Sequence, residues 1–145
     1  MKTIALRFGE HFSPECGTIA AHQEIIDKLG YVWYGKLGSP VNQKMIAELK
    51  QNEDSKFLLI NSGKSDRYWA HIADVSTEIP PYEEFPAYYH ELADKMRTWF
   101  KVISFEPAEK RIMAKCFVAS SGSPLTEASK HSMSPYFIIN YEEGG

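Results

Sequence analysis

Cysteine is nearly absent from this chain. Cys16 and Cys116 are the only two, no C-x-x-C pair exists, and two thiols build no disulfide framework. The expectation is two small reduced core residues. Positive charge is also in short supply: the formal net charge is −3 and the pI about 5.9. That balance excludes a general nucleic-acid coat, which lives on phosphate attraction. Binding to DNA or RNA would have to rest on a local basic patch and on specific pocket contacts. Long apolar runs are missing: nothing approaches the roughly 18 residues that span a bilayer. The opening "MKTIALRFGEHF" holds one lysine and an apolar run broken by Arg7, so it does not read as a signal peptide. A soluble, cytoplasmic protein without membrane contact is expected. Catalytic signatures are scarce as well, with no phosphate-binding loop, no G-x-S-x-G and no H-E-x-x-H. His11, His22, His71, His90 and His131 show no metal-ligand spacing, so neither a metal nor another cofactor is expected.

Aromatic residues, by contrast, are plentiful at 13% of 145 positions, a length that suits one domain with one core, residues 1–145. "TIALRF" (Thr3–Phe8) is β-prone. "TIAAHQEIIDKLG" sets Ile19, His22, Ile26 and Leu29 at helical spacing, with Gly30 as its stop. The strand "YVWYG" precedes Ser39-Pro40, a pair that predicts a helix start, with Val41, Met45, Ile46 and Leu49 as its buried stripe and Asn52 at its end. "KFLLI" is apolar throughout, hence buried on both faces. "NSGKSDR" turns the chain into "YWAHIADV", and "STEIPPYEEFP" reads as an exposed loop. "AYYHELADKM" predicts a short helix with Tyr89, Leu92 and Met96 inward. "TWFKVISFE" (Thr98–Glu106) alternates and is expected to pair as a hairpin with "IMAKCFV". The polar "ASSGSPLTEASKHSMSP" leads to a last strand, "YFIIN". This count gives an α+β fold around a small, curved, mostly antiparallel sheet or barrel.

The chemistry on offer is an inventory of aromatics and amides. Trp33, Tyr34, Tyr68, Trp69, Trp99 and Phe100 cluster at predicted strand ends, with Asn61 and Ser62 after the buried strand. Arg7, Lys36, Lys64, Arg67 and Lys101 are near those ends in sequence. A flat base between aromatic faces gains about 1–3 kcal/mol per stacked ring, and amides and hydroxyls can read its edge without carrying charge. The adjacent pairs Glu83-Glu84 and Glu142-Glu143 read as solvated loop charge. His22 is expected to be a structural residue on the apolar side of its helix, and Tyr34 to pack inward on the alternating face.

The order "VWYG", "SPVNQKMIAEL", "KFLLINSGKSDRYWAHIADV", "TWFKVISFE" resembles the PUA-like superfamily, and within it the EVE and YTH branches. The resemblance runs from about Thr3 to Phe105, and more loosely through the tail. It implies a small barrel flanked by helices, with a cleft that takes a modified base out of a DNA or RNA strand. Carried over by position, it puts Trp33 on the first cage tryptophan and Arg7-Phe8 near the first-strand pair that positions the base. It puts Asn61 and Ser62 beside the pocket, and Trp69 on the return strand facing it. The chain departs from the EVE pattern after the first Trp, where in "KLGSPVNQKM" the family's Asn is missing or displaced to Asn42, and from the YTH pattern where Phe105 stands for the last cage Trp. The expected base-binding set is Trp33, Tyr34, Asn61, Ser62, Trp69 and Trp99; the expected phosphate contacts are Arg7, Lys36, Lys64 and Arg67. Two alternatives stay open. One is an amidohydrolase of the ASCH type drawing on Lys36, Thr98 or Thr126, and Glu106. The other is a module that docks a protein partner through the acidic loop Glu78–Glu84.

Overall fold

The computed structural model describes residues 1–8, 15–61, 66–132, 134 and 136–141. Among them seven strands and three helices follow in order. These are β1 (Lys2–Phe8), α1 (Thr18–Leu29), β2 (Val32–Leu37), α2 (Gln43–Gln51), β3 (Lys56–Asn61) and β4 (Arg67–Ser76), then β5 (Met96–Pro107), β6 (Cys116–Val118), α3 (Leu125–His131) and β7 (Tyr136–Tyr141). The strands pair in the order β2-β5-β4-β3-β1-β7-β6. The α+β class and the mostly antiparallel sheet hold. At the level of strand pairing the sheet has two terminal strands, β2 and β6, and is not a closed ring. One pair departs from the hairpin expectation: β1 and β3 run parallel, Ala5 opposite Leu58 and Phe8 opposite Asn61. Parallel neighbours cannot be joined by a tight turn, and here the intervening chain carries both α1 and α2.

The chain divides into two compact units, one made of Met1–Phe8, Phe57–Trp69 and Glu106–Gly145, the other of Gly9–Lys56 and Ala70–Phe105. In the first, Ile4, Ala5, Leu58 and Leu59 are fully buried, as the unbroken apolar run of β3 requires of a strand covered on both faces. Of these, Ala5 and Leu58 join Trp69, Ile112, Cys116, Leu125 and Ile139 in one core cluster. The predicted hairpin of "IMAKCFV" with β5 does not form. Ile112–Lys115 is a 3-10 turn, and β6 pairs instead with β7, Cys116 opposite Tyr141. The polar stretch before β7 contains the helix α3, where its composition predicts a loop. Its signal was present: Ser123-Pro124 ahead of Leu125, which is fully buried. Cys116 is the buried thiol expected, whereas Cys16 is exposed.

In the second unit α1 ends at Gly30, whose φ of +87° is a left-handed conformation that suits glycine. Its buried residues are Thr18, Ala21 and His22. Leu29, expected inward, is 45% exposed. α2 starts later than Ser39-Pro40 predicts. Asn42 is the cap, its Oδ1 accepting the Met45 N–H at 2.8 Å, while the Val41 N–H is held by Thr98 Oγ1 at 3.0 Å. The predicted helix in "AYYHELADKM" resolves into two 3-10 turns, Ala87–Tyr89 and Ala93–Lys95. The loop before it is exposed at Ile79 and Tyr82 but buries Phe85 to 2%.

Candidate functional site

β2 and β5 set the geometry. Their antiparallel register puts Trp33 opposite Lys101, Gly35 opposite Trp99 and Lys36 opposite Thr98. Opposed residues share a face and alternate residues change face. Tyr31, Trp33 and Gly35 therefore lie on one side with Lys101 and Trp99, and Tyr34 and Lys36 on the other with Phe100 and Thr98.

On the first face Gly35 presents no side chain, which lets Met96 and Trp99 lie directly over it. Trp33 is 9% exposed and packs in a cluster with Phe85, Tyr89, Met96 and Trp99. Phe85 and Trp99 meet at 4.9 Å between centroids, tilted by 44°, a spacing inside the favourable range for aromatic pairs. At the edge of this cluster one carboxylate oxygen gathers two donors. Glu84 Oε1 accepts Tyr31 Oη–H at 2.7 Å and Trp33 Nε1–H at 3.3 Å. The hydrogen bond to Glu84 holds the Tyr31 phenol proton and raises its pKa above the ordinary value, with burial and the charges of Glu84 and Glu83 adding to the shift. Lys101 Nζ stands 4.4 Å above the Tyr31 ring, a cation–π distance. Tyr31, Glu84 and Lys101 are half-buried. The result is a buried aromatic cluster, Trp33 its most exposed member, edged by a half-buried phenol, carboxylate and ammonium.

Glu84 is the member that sequence reasoning missed, having taken it for solvated loop charge. Its partners are 51 and 53 residues away, so no local pattern could announce it.

On the opposite face Tyr34 packs inward at 5% exposure against the fully buried His22, ring centroids 4.9 Å apart. His22 Nδ1 is 2.8 Å from the Thr18 carbonyl oxygen, which agrees with a structural role. Tyr89, a member of the Trp33 cluster whose ring also neighbours Tyr34 at 6.4 Å, is buried, and desolvation, with Tyr34 and Tyr88, holds its pKa well above the ordinary phenol value. Lys36 is 5% exposed. Its ammonium donates to the carbonyls of Ser39 at 2.5 Å and Leu37 at 3.3 Å, and burial lowers its pKa. A cavity of about 580 Å³ in this unit is lined by Val41, Asn42, Ile46, Met96 and Arg97 among others. Met96 thus belongs both to that wall and to the Trp33 cluster.

The remaining expected residues are in the first unit or outside the described residues. Trp69 is 4% exposed and packs on Tyr141 at 4.9 Å. Asn61 is 5% exposed at the end of β3, its N–H donating to the Asp66 carbonyl at 3.2 Å. The Arg7 guanidinium is committed to three backbone carbonyls, those of Ser129, Ser132 and Ser134, at 2.6, 2.8 and 3.1 Å. Arg67 is half-buried, with Nη1 donating to the Asp66 carbonyl at 2.8 Å, and desolvation lowers its pKa. Ser62 and Lys64 lie outside the described residues. The structure therefore brings Trp33 and Trp99 into one core, sets Tyr34 on the other face of β2, and assigns Asn61 and Trp69 to the other unit.

Among the described residues no group of three His, Cys, Asp or Glu side chains could hold a metal ion, and no helix is long and apolar enough to cross a membrane. A family model described as Pua-like matches residues 4–142. No curated protein and no solved structure matches the chain.

Proposed function

The chain belongs to the Pua-like family, and from that premise we propose that it binds a DNA or RNA strand and takes one modified base into a pocket walled by Trp33. The EVE/YTH-type assignment, and the action of residues 1–145 as one domain, are parts of this proposal; the family match, which runs through both units, supports the second. The observation that carries the reading is the setting of Trp33. Its indole is backed by Phe85, Tyr89 and Trp99, and its Nε1 is fixed by Glu84. A pre-set ring loses little freedom when a base stacks on it, and that gain must cover the few kcal/mol, roughly, of unstacking the base from its strand.

Phosphate contacts contribute little in this reading. Arg7 and Lys36 are held by backbone carbonyls, and the net charge is −3. The salt dependence of binding should then be shallow, about one or two released counterions. Asn61, Ser62 and Trp69 remain proposed participants, and Trp69→Phe tests the last of them. The direct test of the reading is a titration with oligonucleotides carrying N6-methyladenine or a modified cytosine beside their plain counterparts. Tighter binding of one modified strand is expected. Equal affinity for all strands, or a steep salt dependence shared by all, would refute it.

One observation favours a second reading, hydrolysis of an acylated nucleoside. Lys36 and Thr98, two of the residues considered for it, are direct register partners and both are buried. The lowered pKa of Lys36 raises its neutral fraction, the form that can take a proton from a hydroxyl nucleophile. Thr98 Oγ1 accepts from Val41 and keeps its own proton to give. Glu106 and Thr126 are in the other unit. Release of acetate from N4-acetylcytidine by the pure protein, lost in Thr98→Val, would establish this reading over the first.

A further inference from the structure

The first unit holds a second cavity, of about 390 Å³, inside the range of roughly 300–1,000 Å³ typical of small-molecule sites. Among the described residues, five of the ten that line it are serines, and with them stand the Glu127 carboxylate and the His131 imidazole but no lysine or arginine. Phe137, 8% exposed, supplies an aromatic side.

The hydroxyls sit on a pre-set backbone. Arg7 draws the carbonyls of Ser129, Ser132 and Ser134 onto one guanidinium, and five N–H donors in a rigid fork suit that role. The Ser134 N–H donates to Ser132 Oγ at 3.2 Å, and the two hydroxyl oxygens are 3.0 Å apart. Glu127 Oε2 is 3.7 Å from His131 Nε2, and its side chain is 60% exposed, so it can turn to an incoming ligand.

This wall selects by charge and by hydrogen-bond type. A phosphate or carboxylate would meet the Glu127 carboxylate, and the nearby Arg7 guanidinium is already committed to the Ser129, Ser132 and Ser134 carbonyls and the Phe137 ring. Hydroxyls, in contrast, both donate and accept, and a carboxylate accepts from adjacent hydroxyl groups. We propose that this cavity binds a neutral polyhydroxylated ligand, a monosaccharide unit, with Glu127 as its charged acceptor and the serines as its neutral partners. The proposal stands on these residues alone and does not depend on the base-binding reading.

The test is an amide-resolved NMR titration of the full chain with D-glucose, with D-ribose, and with inorganic phosphate as the anionic control. Saturable shifts confined to residues 118–137 are expected with at least one sugar, and none with phosphate. The tighter of the two sugars names the ligand as hexose or pentose. Glu127→Gln, at an exposed position that leaves the spectrum otherwise unchanged, should weaken sugar binding by about tenfold, the loss of one charge-assisted acceptor. Absence of saturable shifts with both sugars, tighter binding of phosphate than of either, or an unchanged affinity in Glu127→Gln would overturn the proposal.

Discussion

Replacing Gly35 by alanine tests how the Trp33 wall is built. An added Cβ would stand 2.2 Å from Met96 Sδ, 3.1 Å from Met96 Cγ and 3.0 Å from Trp99 Cζ3. The Met96 sulfur is the end of a flexible side chain and can swing aside. Trp99 has no such freedom: it is fully buried, its Nε1 donates to the Met96 carbonyl at 3.0 Å, and Phe85 packs on it. Overpacking a filled core costs about 1–3 kcal/mol. Against this, alanine in a strand is favoured over glycine by roughly 0.5–1 kcal/mol. A net loss of about 1–2 kcal/mol is expected, or roughly 2–8 °C in Tm for a chain of this size. Urea unfolding followed by circular dichroism measures it. In a Met96→Ala background most of that cost should persist, since the sulfur could already move and Trp99 still crowds the added Cβ. If Gly35→Ala is neutral or stabilising, or its cost vanishes once Met96 is removed, the close approach of Trp99 to Gly35 is wrong.

Three other outcomes follow from the same geometry. Arg7→Lys should destabilise the protein by roughly 2–4 kcal/mol in urea unfolding, because one ammonium cannot reproduce charge-assisted bonds to three carbonyls. Stability in alkali should depend on two buried groups of opposite effect. Below the ordinary lysine value of 10.5 the unfolded chain holds a proton on residue 36 that the folded chain has begun to release, so stability rises with pH there. Above the ordinary phenol value of 10.0 the unfolded chain loses a Tyr89 proton that the folded chain keeps, so stability falls. Tyr89→Phe should reduce that fall and Lys36→Met the preceding rise, both read from unfolding free energy against pH. Finally, Glu84→Gln should return the Tyr31 phenol towards its ordinary value, visible as an earlier phenolate absorbance step; an unmoved titration would show that the Glu84 contact does not hold in solution.

Local grammar made much of the fold legible. The continuous apolar run of β3, the glycine that ends α1, and the alternation in β5 each express a short-range rule, and each element stands where those rules put it. What escaped was set by partners distant in sequence. Asn42 displaced Ser39 as the cap of α2 because Thr98 and Lys36 claim the backbone groups of the intervening loop. β6 found β7 in place of β5, and the parallel β1–β3 pair has no signature in either strand alone. In the site, Trp33 was legible as an aromatic at a strand end, but Glu84 was not, since a loop glutamate carries no mark of the indole and phenol that reach it. The two helical segments of opposite fate make the same point. Ser39-Pro40 and Ser123-Pro124 are identical signals, and only the second is followed at once by a helix: behind the first, Val41 is equally buried, but its N–H is taken by Thr98 and the helix starts after Asn42.

The most direct measurement is the affinity of wild type and Trp33→Ala for a base-modified oligonucleotide and its plain counterpart, with circular dichroism confirming that the variant folds. Stacking on one ring is worth about 1–3 kcal/mol, so the variant should lose roughly tenfold or more on the modified strand and little on the plain one. A folded Trp33→Ala protein that still prefers the modified strand by the wild-type ratio would contradict the account.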